Sequence, residues 1–181
     1  MQALIIERNR DIPEKIKLIE MQSKKTIFVF DIHKTTLKPD GSPDLEVKKY
    51  IKHLMYYGYN ILFLSYDGND NRILQNNKAL NKIPEYKKIQ RIFIKKRNKQ
   101  LVLKELCRIF NFDKRLKYKA VLIDDNINNI NDVMNLRNKN IISYYYTKNN
   151  IHEGNDTLSH LGKIFTVLKL SKSGHFKSEK N

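Results

Sequence analysis

Four short apolar runs alternate with segments of helical spacing, and this alternation constrains the fold more than any other feature of the chain. The runs are TIFVF (26–30), NILFL (60–64), RIFI (91–94) and KAVLI (119–123), and NIISYYY (140–146) is a weaker fifth. They scarcely alternate with polar residues, which is typical of strands covered on both faces, as in parallel sheets.

The segments between the runs predict amphipathic helices. DLEVKKYIKHLMYYGY (44–59) carries apolar residues on one face, namely Leu45, Tyr50, Ile51, Leu54 and Met55, with Gly58 as a C-terminal stop. NKQLVLKELCRIFNF (98–112) repeats the pattern, and NINNINDVMNL (126–136) is shorter. Alternating strands and helices predict an α/β fold, a three-layer Rossmann-like parallel sheet with helices on both faces and right-handed crossovers.

The predicted elements belong to one domain. A length of 181 residues favours a single domain, which we place at 1–170 with its core at about 24–147. LKPDGSPD (37–44) carries Pro and Asp-Gly turn signals and predicts a loop or small hairpin. DTLSHLGKIFTVLKL (156–170) predicts a closing helix, and the basic end at 171–181 predicts a flexible tail.

Charge, cysteine content and hydropathy narrow the class of protein. The formal net charge of +16 attracts polyanions such as nucleic acid, although an AT-rich genome that favours Lys, Asn and Ile produces the same excess. The single cysteine, Cys107, excludes a disulfide framework, and we expect it to pack in the core. No apolar stretch approaches the roughly 20 residues that span a bilayer, and no signal-peptide core is present. We therefore expect a cytoplasmic protein without a membrane partner, and no pattern specifies an oligomeric state.

Three of the apolar runs end in side chains that can bind a metal ion or a phosphate. Asp31 ends the first run, Ser65 the second, and Asp124 with Asp125 the fourth. Ligands of open parallel sheets bind beyond the carboxyl ends of the strands, so these groups should converge. Converging carboxylates repel unless a cation lies between them, and Mg²⁺ needs only one or two protein carboxylates plus a substrate phosphate. The sequence thus predicts metal-assisted phosphoryl chemistry.

Phosphoryl chemistry also calls for a cation that balances the charge of the phosphate. KKRNK (95–99) offers Lys95, Lys96 and Lys99. Lys99 lies in the first turn of its predicted helix, where a positive charge opposes the helix dipole and so indicates another purpose. Lys96 is its rival for the same role.

Taken in order, these residues resemble the four motifs of the haloacid dehalogenase (HAD) superfamily. DIHKTTL (31–37) is similar to motif I, which reads Asp-x-Asp-x-Thr in the family's phosphatases. Ser65 is similar to motif II, Lys99 to the motif III lysine, and DDNINN (124–129) to the Asp-Asp-x-x-x-Asn form of motif IV. The resemblance covers about residues 26–146, and motifs I and IV carry most of its specificity.

The resemblance implies a Mg²⁺-dependent phosphatase that works through an aspartyl-phosphate. Asp31 would be the nucleophile, which splits one difficult displacement into two easier ones. The implied catalytic residues are Asp31, His33 and Lys99. The implied metal ligands are Asp31, the backbone carbonyl of His33 and Asp125, with Asp124 and Asn129 beside them. The implied phosphate-binding residues are Ser65, Lys99, Lys96 and Thr35.

His33 is the main departure from the family's pattern. The phosphatases carry a second aspartate there, which protonates the leaving oxygen and then activates water. Histidine titrates near neutral pH, so one alternative is that His33 replaces this acid and base. A second is a variant reaction or a slow phosphotransfer, and a third is an impaired site in a domain that acts by binding. The sequence gives no role to the neighbouring Lys34.

The spacing of the motifs predicts a domain without a cap. Asp31 and Ser65 are 34 positions apart, as are Ser65 and Lys99, and a helix and a strand fill each interval. Capless HAD members tend to act on macromolecules, so the resemblance implies a phosphorylated macromolecular substrate, either nucleic-acid ends or a phosphoprotein. Size and composition resemble those of small phosphatase-like proteins of large DNA viruses or phages, which would act in the host cytoplasm.

The segment 87–119 favours a nucleic-acid partner. It is rich in basic side chains, namely Lys87, Lys88, Arg91, Lys95, Lys96, Arg97, Lys99, Lys104, Arg108, Lys114, Arg115, Lys117 and Lys119. Such a cluster can follow a phosphate backbone. Tyr66 beside Ser65 can stack on a base, or it can be an amphipathic residue at the edge of the core, as we expect for most of the tyrosines. The alternative from another class is therefore a catalytically impaired HAD-like module that binds nucleic acid.

Overall fold

In the computed structural model, the apolar runs form a parallel sheet that has six strands within the described residues, which are 3–21, 26–110, 119–138 and 140–146. The strands are β1 (Leu4–Ile6), β2 (Thr26–Phe30), β3 (Asn60–Tyr66), β4 (Gln90–Ile94), β5 (Lys119–Asp124) and β6 (Ile141–Tyr145). All five predicted runs are therefore strands, and each of their observed ends lies within two residues of the predicted one.

The strand order across the sheet is β1-β4-β3-β2-β5-β6, and every neighbouring pair is parallel. From β2 the chain runs outward through β3 to β4, and then returns to the other side of β2 for β5 and β6. The direction of winding reverses between β2 and β5, which pair from Thr26↔Lys119 to Phe30↔Ile123. In open α/β sheets this reversal point is where ligands bind.

Within the same residues, five α-helices accompany the strands. They are α1 (Ile12–Lys17), α2 (Leu45–Tyr56), α3 (Asp70–Lys82), α4 (Lys99–Ile109) and α5 (Ile127–Asn135). Helices α1, α4 and α5 share one core with Val29, Leu64 and Leu122 of the sheet. On the other face, Phe63 meets the ring of Tyr86 at a centroid distance of 5.1 Å. The predicted α/β Rossmann-like fold is confirmed.

Helix α2 differs from the prediction in which residues it buries. Val47 is buried, whereas Leu45 is 70% exposed. The reason is helical phase, since Leu45 shares its face with Lys49 and Lys52 while Val47 shares its own with buried Ile51. The predicted stop at Gly58 is confirmed, because α2 ends at Tyr56 and Gly58 has a φ of 69°.

Two further predictions are confirmed, one for the turn at 37–44 and one for the burial of Cys107. Residues 37–44 form a small hairpin in which Leu37 pairs with Pro43 and Gly41 adopts a φ of 80°, a conformation that favours glycine. Cys107 is buried on α4, where burial raises the pKa of its thiol to about 11.

Contacts along the chain divide it into two units, Met1–Tyr145 and Tyr146–Asn181, and the elements above belong to the first. The predicted closing helix at 156–170 and the predicted tail at 171–181 lie outside the described residues. None of the helices in the described ranges is long and apolar enough to cross a bilayer.

Candidate active site

The pairing of β2 with β5 brings three carboxylates to one edge of the sheet. Asp31 directly follows β2, and its backbone N–H donates to the carbonyl of Ile123 at 2.9 Å. Asp124 ends β5, and Asp125 follows it. Carboxylate oxygens of Asp31, Asp124 and Asp125 lie within 4.8 Å of one another. The structure thus brings together the acidic groups that the sequence placed at strand ends.

Lys99 is the cation of this cluster. Its Nζ donates to Oδ1 of Asp31 and, at 2.7 Å, to Oδ2 of Asp124. The side chain is 3% exposed, and it is the first residue of α4. Burial opposes its positive charge, but Asp31 and Asp124 outweigh burial and raise the pKa of Lys99.

The neighbouring lysines do not share this position. Lys96 is exposed and is not among the residues that line the pocket at this edge, so the geometry selects Lys99 over its rival. Lys95 forms ion pairs with Asp70 at 2.8 Å and with Glu7 at 3.2 Å. Of the three lysines proposed from the sequence, Lys99 is therefore the one that contacts the carboxylates.

Asp124 is fixed by hydrogen bonds to both of its carboxylate oxygens. Oδ2 accepts from Nδ2 of Asn129 at 2.9 Å as well as from Lys99, and Oδ1 accepts from the backbone N–H of Asn126 at 2.8 Å. Its side chain is fully buried. Asn129 therefore helps to hold Asp124 within the carboxylate cluster.

Thr35 has a different role from the predicted phosphate contact. Its Oγ1 accepts a hydrogen bond from the backbone N–H of Asp125 at 3.1 Å and donates to Oδ1 of Asp125 at 3.3 Å. Thr35 is fully buried and is not part of the pocket lining. Because its hydroxyl is committed to Asp125, Thr35 positions that carboxylate and does not face a ligand.

Two carboxyl groups of the cluster, those of Asp31 and Asp125, have raised pKa values. Burial, with smaller effects from Asp124 and Asp125, raises the pKa of Asp31 to about 7, even though Lys99 acts in the opposite direction. Burial and Asp124 likewise raise the pKa of Asp125. Carboxylates behave in this way when more negative than positive charge is buried together, and a cation among them reverses the effect.

The carboxylate oxygens of the cluster are suited to bind a hard divalent cation. Both oxygens of Asp124 and Oδ1 of Asp31 accept the hydrogen bonds described above. Within the described residues, none of those hydrogen bonds reaches Oδ2 of Asp31 or Oδ2 of Asp125. Two carboxylates, completed by a backbone carbonyl, waters and substrate oxygens, are a donor set that Mg²⁺ accepts.

A pocket of about 430 Å³ opens above the carboxylates. Ser65, which is 1% exposed near the end of β3, lines it together with His33. Three exposed cations lie along the same lining, namely Lys34, Arg72 and Arg97. The pocket therefore combines a buried acidic floor with an exposed basic rim.

His33 lies between the floor and the rim and is partly buried. Burial, followed by the charges of Arg72 and Lys34, lowers its pKa, and the weaker effects of Asp125 and Asp67 do not compensate. The neutral imidazole is consequently favoured at neutral pH.

Sequence reasoning missed two charged residues that line the pocket, Asp67 and Arg72. Asp67 is 3% exposed, accepts a hydrogen bond from Nδ2 of Asn76 at 3.0 Å and lies 3.6 Å from Nε of Arg72. Both had a signal in the sequence. Asp67 follows Ser65 by two positions at the same strand end, and Arg72 is a basic residue in a first helical turn, as Lys99 is.

Within the described residues, the basic side chains of the segment 87–119 are divided between the interior and different ends of the sheet. Arg91 is 1% exposed and donates to Oδ1 of Asn77 at 2.9 Å, so it is a structural residue. Lys88 precedes β4 and Arg97 follows it, which puts them at opposite edges of the sheet. Lys114, Arg115 and Lys117 lie outside the described residues. Of the described basic residues in this segment, Arg97 and Lys99 line the pocket, Arg97 at its rim and Lys99 at its floor.

Comparisons with known proteins identify no family for the chain. No family model matches it, and a search of curated proteins found no match. Among solved structures, an uncharacterized protein from Corynebacterium glutamicum ATCC 13032 Kitasato is similar, with 13% identity and a TM-score of 0.48. That similarity covers 78% of this chain and 93% of the other.

Proposed function

We propose that the protein is a Mg²⁺-dependent phosphohydrolase that forms an aspartyl-phosphate on Asp31. One observation carries the proposal, namely the convergence of Asp31, Asp124 and Asp125 within 4.8 Å around the buried ammonium of Lys99. This floor holds more negative than positive charge, which favours a divalent cation and, with it, an anionic substrate. The arrangement is also the one implied by the resemblance to the HAD motifs.

Asp31, Asp125 and the backbone carbonyl of His33 would hold Mg²⁺. When bound, Mg²⁺ neutralises the charge of the carboxylates and of the incoming phosphate. Lys99 adds a positive charge beside Asp31, and Asp124 keeps that ammonium in place through the 2.7 Å contact. Ser65 supplies a hydroxyl that can donate to a phosphate oxygen.

In the first step, a carboxylate oxygen of Asp31 bonds to phosphorus as the bond between phosphorus and the ester oxygen breaks. His33, as the imidazolium, gives its proton to the departing oxygen. In the second step, the neutral imidazole takes a proton from water as the water oxygen bonds to phosphorus. The bond between phosphorus and Asp31 then breaks, which releases inorganic phosphate and regenerates both side chains. The lowered pKa of His33 suits the second step.

The proposed substrate is a phosphorylated macromolecule, either a nucleic-acid end or a phosphoprotein. The interval between β2 and β3 contains the 37–44 hairpin and α2, and the interval between β3 and β4 contains α3 and a short 3₁₀ turn at Pro84–Tyr86. These short intervals support an open, capless site that a large substrate can reach.

The proposal is tested by phosphate release from p-nitrophenyl phosphate and from phosphorylated oligonucleotides, with Mg²⁺ or with a chelator. Turnover should require Mg²⁺, should vanish in Asp31→Asn and should persist in Asp132→Asn, an exposed control on α5. Borohydride reduction of enzyme quenched during turnover should convert Asp31 to homoserine, which peptide mass spectrometry detects. Turnover that survives Asp31→Asn would refute the proposal.

A second candidate is a nucleic-acid-binding module without turnover. The observation that favours it is His33, which replaces the aspartate that serves as acid and base in HAD phosphatases. The same assays separate the two candidates. Salt-sensitive binding of oligonucleotides without phosphate release from any substrate would support the module.

A further inference from the structure

The basic rim of the pocket contains an aromatic surface that has no role in the proposed reaction. Tyr66, the last residue of β3, is 39% exposed and lines the pocket next to Ser65. Arg97, in the loop after β4, places its guanidinium carbon 5.4 Å from the centroid of the Tyr66 ring. This distance is within the range of a cation–π contact. Tyr66 and Arg97 together are called the platform below.

The position of the platform matches that of a group attached to the reacting phosphate. Asp31 follows β2, Tyr66 ends β3, and Arg97 follows β4, so the three come from adjacent strands in order. Neighbouring strands are about 5 Å apart, which sets the platform about 5–10 Å from the nucleophile along the sheet. A substituent within one nucleotide's length of the phosphate would reach it.

The ring of Tyr66 lies against the loop after β3. A β-carbon built at Gly68 would be 3.4 Å from the Tyr66 hydroxyl, an ordinary van der Waals distance. An isolated tyrosine–arginine pair is common on protein surfaces. Here, however, both members also line the wall of the pocket that holds Asp31.

The charges of the rim point to an anionic ligand that extends beyond one phosphate. Arg72 lies beside Asp67 but remains 57% exposed, and Lys34 and Arg97 are exposed as well. These three cations lie at the rim and not at the acidic floor. A single phosphate held at Asp31 would therefore not neutralise all of them. Nucleic-acid strands offer both further phosphates and planar bases, and base stacking on aromatic side chains adds affinity without sequence preference.

We infer that the rim binds the leaving group, and that the substrate is the phosphorylated end of a nucleic-acid strand, DNA or RNA. The terminal base stacks on the platform, and the next phosphodiester lies against Arg72 and Lys34. The inference rests on the proposed phosphohydrolase function. A phosphoserine or phosphothreonine peptide presents no planar group beside its phosphate and would leave the platform unoccupied.

The test compares matched substrates. Deoxy- and ribo-oligonucleotides carry a 5′- or 3′-phosphate either on a normal terminal nucleotide or on an abasic one, and a phosphoserine peptide represents the other class. Removing the base removes the stacking group and leaves the phosphates in place. In the wild type, kcat/KM for the base-bearing end should exceed that for the abasic end by roughly 10- to 100-fold, the contribution of one stacked base.

Variants then assign the preference to the platform. In Tyr66→Leu the ratio of the two kcat/KM values should fall towards one, and Tyr66→Phe should retain it because the ring remains. Arg97→Gln should lower the ratio less. The matched controls are Tyr56→Leu and Arg108→Gln. The side chain of Tyr56 is 76% exposed on α2, and Arg108 lies near the C-terminal end of α4. Neither substitution should change the ratio.

Equal turnover of base-bearing and abasic ends by the wild type, or a preference for the phosphopeptide, would overturn the inference and leave the proposed function intact. Absence of turnover on every substrate would refute the proposed function. In that case, fluorescence anisotropy with Asp31→Asn still decides whether the platform binds a base beside a terminal phosphate. Tighter binding of the base-bearing end that depends on the Tyr66 ring would support that binding role, and equal binding of both ends would overturn it.

Discussion

Nζ of Lys99 lies 2.7 Å from Oδ2 of Asp124 and also contacts Oδ1 of Asp31, so one ammonium joins carboxylates from two neighbouring strands. All three side chains are at most 7% exposed. Water therefore screens these charges poorly, and each depends on the others for compensation.

Replacing Lys99 by Met should destabilise the fold and abolish phosphate release. The substitution leaves Asp31 and Asp124 buried without their cation, and breaking a buried ion pair in this way costs about 3–5 kcal/mol. Urea unfolding followed by circular dichroism measures the loss. Lys96→Met is the matched control, because Lys96 is exposed and close in sequence, and it should be neutral. Equal stability of the two variants would contradict the assigned role of Lys99.

Mg²⁺ should stabilise the folded protein through Asp31 and Asp125. A tenfold excess of Mg²⁺ over its Kd adds about 1.4 kcal/mol by mass action. For a chain of this size that raises Tm by about 3–6 °C, which differential scanning fluorimetry resolves. The shift should disappear in Asp125→Asn, which removes a ligand, and persist in Asp132→Asn. A full shift in Asp125→Asn would exclude that carboxylate as a ligand.

His33→Ala should slow the hydrolysis of alkyl phosphates more than that of p-nitrophenyl phosphate. An alkoxide leaves poorly without a proton, whereas nitrophenolate leaves readily, so the loss of a proton donor affects the first class more. General acid catalysis is worth about 10²–10⁴-fold, which sets the expected fall in kcat for the alkyl substrate. His53→Ala on α2 serves as the control. Equal losses on both substrates would argue that His33 does not donate a proton to the leaving oxygen in the first step.

Glu85 should contribute stability that depends on pH in the acid range. Hydrogen bonds from Lys52, its own backbone and Lys48 hold its pKa at about 2 in the folded state, against an ordinary value of 4.5. As the pH falls from about 4.5 to 2, the unfolded chain takes up a proton at this position and the folded chain does not. The stabilisation is therefore complete above pH 4.5 and lost as the pH falls through about 2.

Thermal unfolding of the wild type and of Glu85→Gln between pH 2 and 7 checks this. The difference in Tm should be largest near neutral pH and shrink below pH 4.5. Glu46→Gln is the control with the opposite sign, because burial and Asp44 raise the pKa of Glu46. A constant difference across the range would contradict the Lys52–Glu85–Lys48 linkage.

The strands were predictable because their apolar runs carry the signal for burial on both faces. β1 was missed because three residues, Leu4–Ile6, are too few to distinguish a strand from a short apolar stretch. The helix expected between Ser65 and Lys99 could not be given bounds from the sequence, since α3 buries only Ile73 and Leu80 within its polar sequence. Leu45 was assigned to the wrong face because apolar character alone does not set the phase of a helix.

At the site, the sequence identified residues that chain order places at strand ends, and the fold brings Asp31 and Asp124 together as expected. The contact of Thr35 with Asp125 could not be read from the sequence, because it joins segments 90 positions apart. The sequence also could not show which basic side chains are paired with acids and which stay exposed at the pocket. Lys95 pairs with Asp70 and Arg97 stays exposed, and these partners are set only by the folded chain.

The late arrival of β5 in the chain has a consequence for synthesis. On the ribosome, Asp31 emerges with β2, but Asp124 and Asp125 come about 90 residues later and add to the opposite side of that strand. A nascent chain that ends before them holds Asp31 and Lys99 but lacks the other two acids of the cluster. The acidic cluster is therefore complete only after β5 has paired with β2.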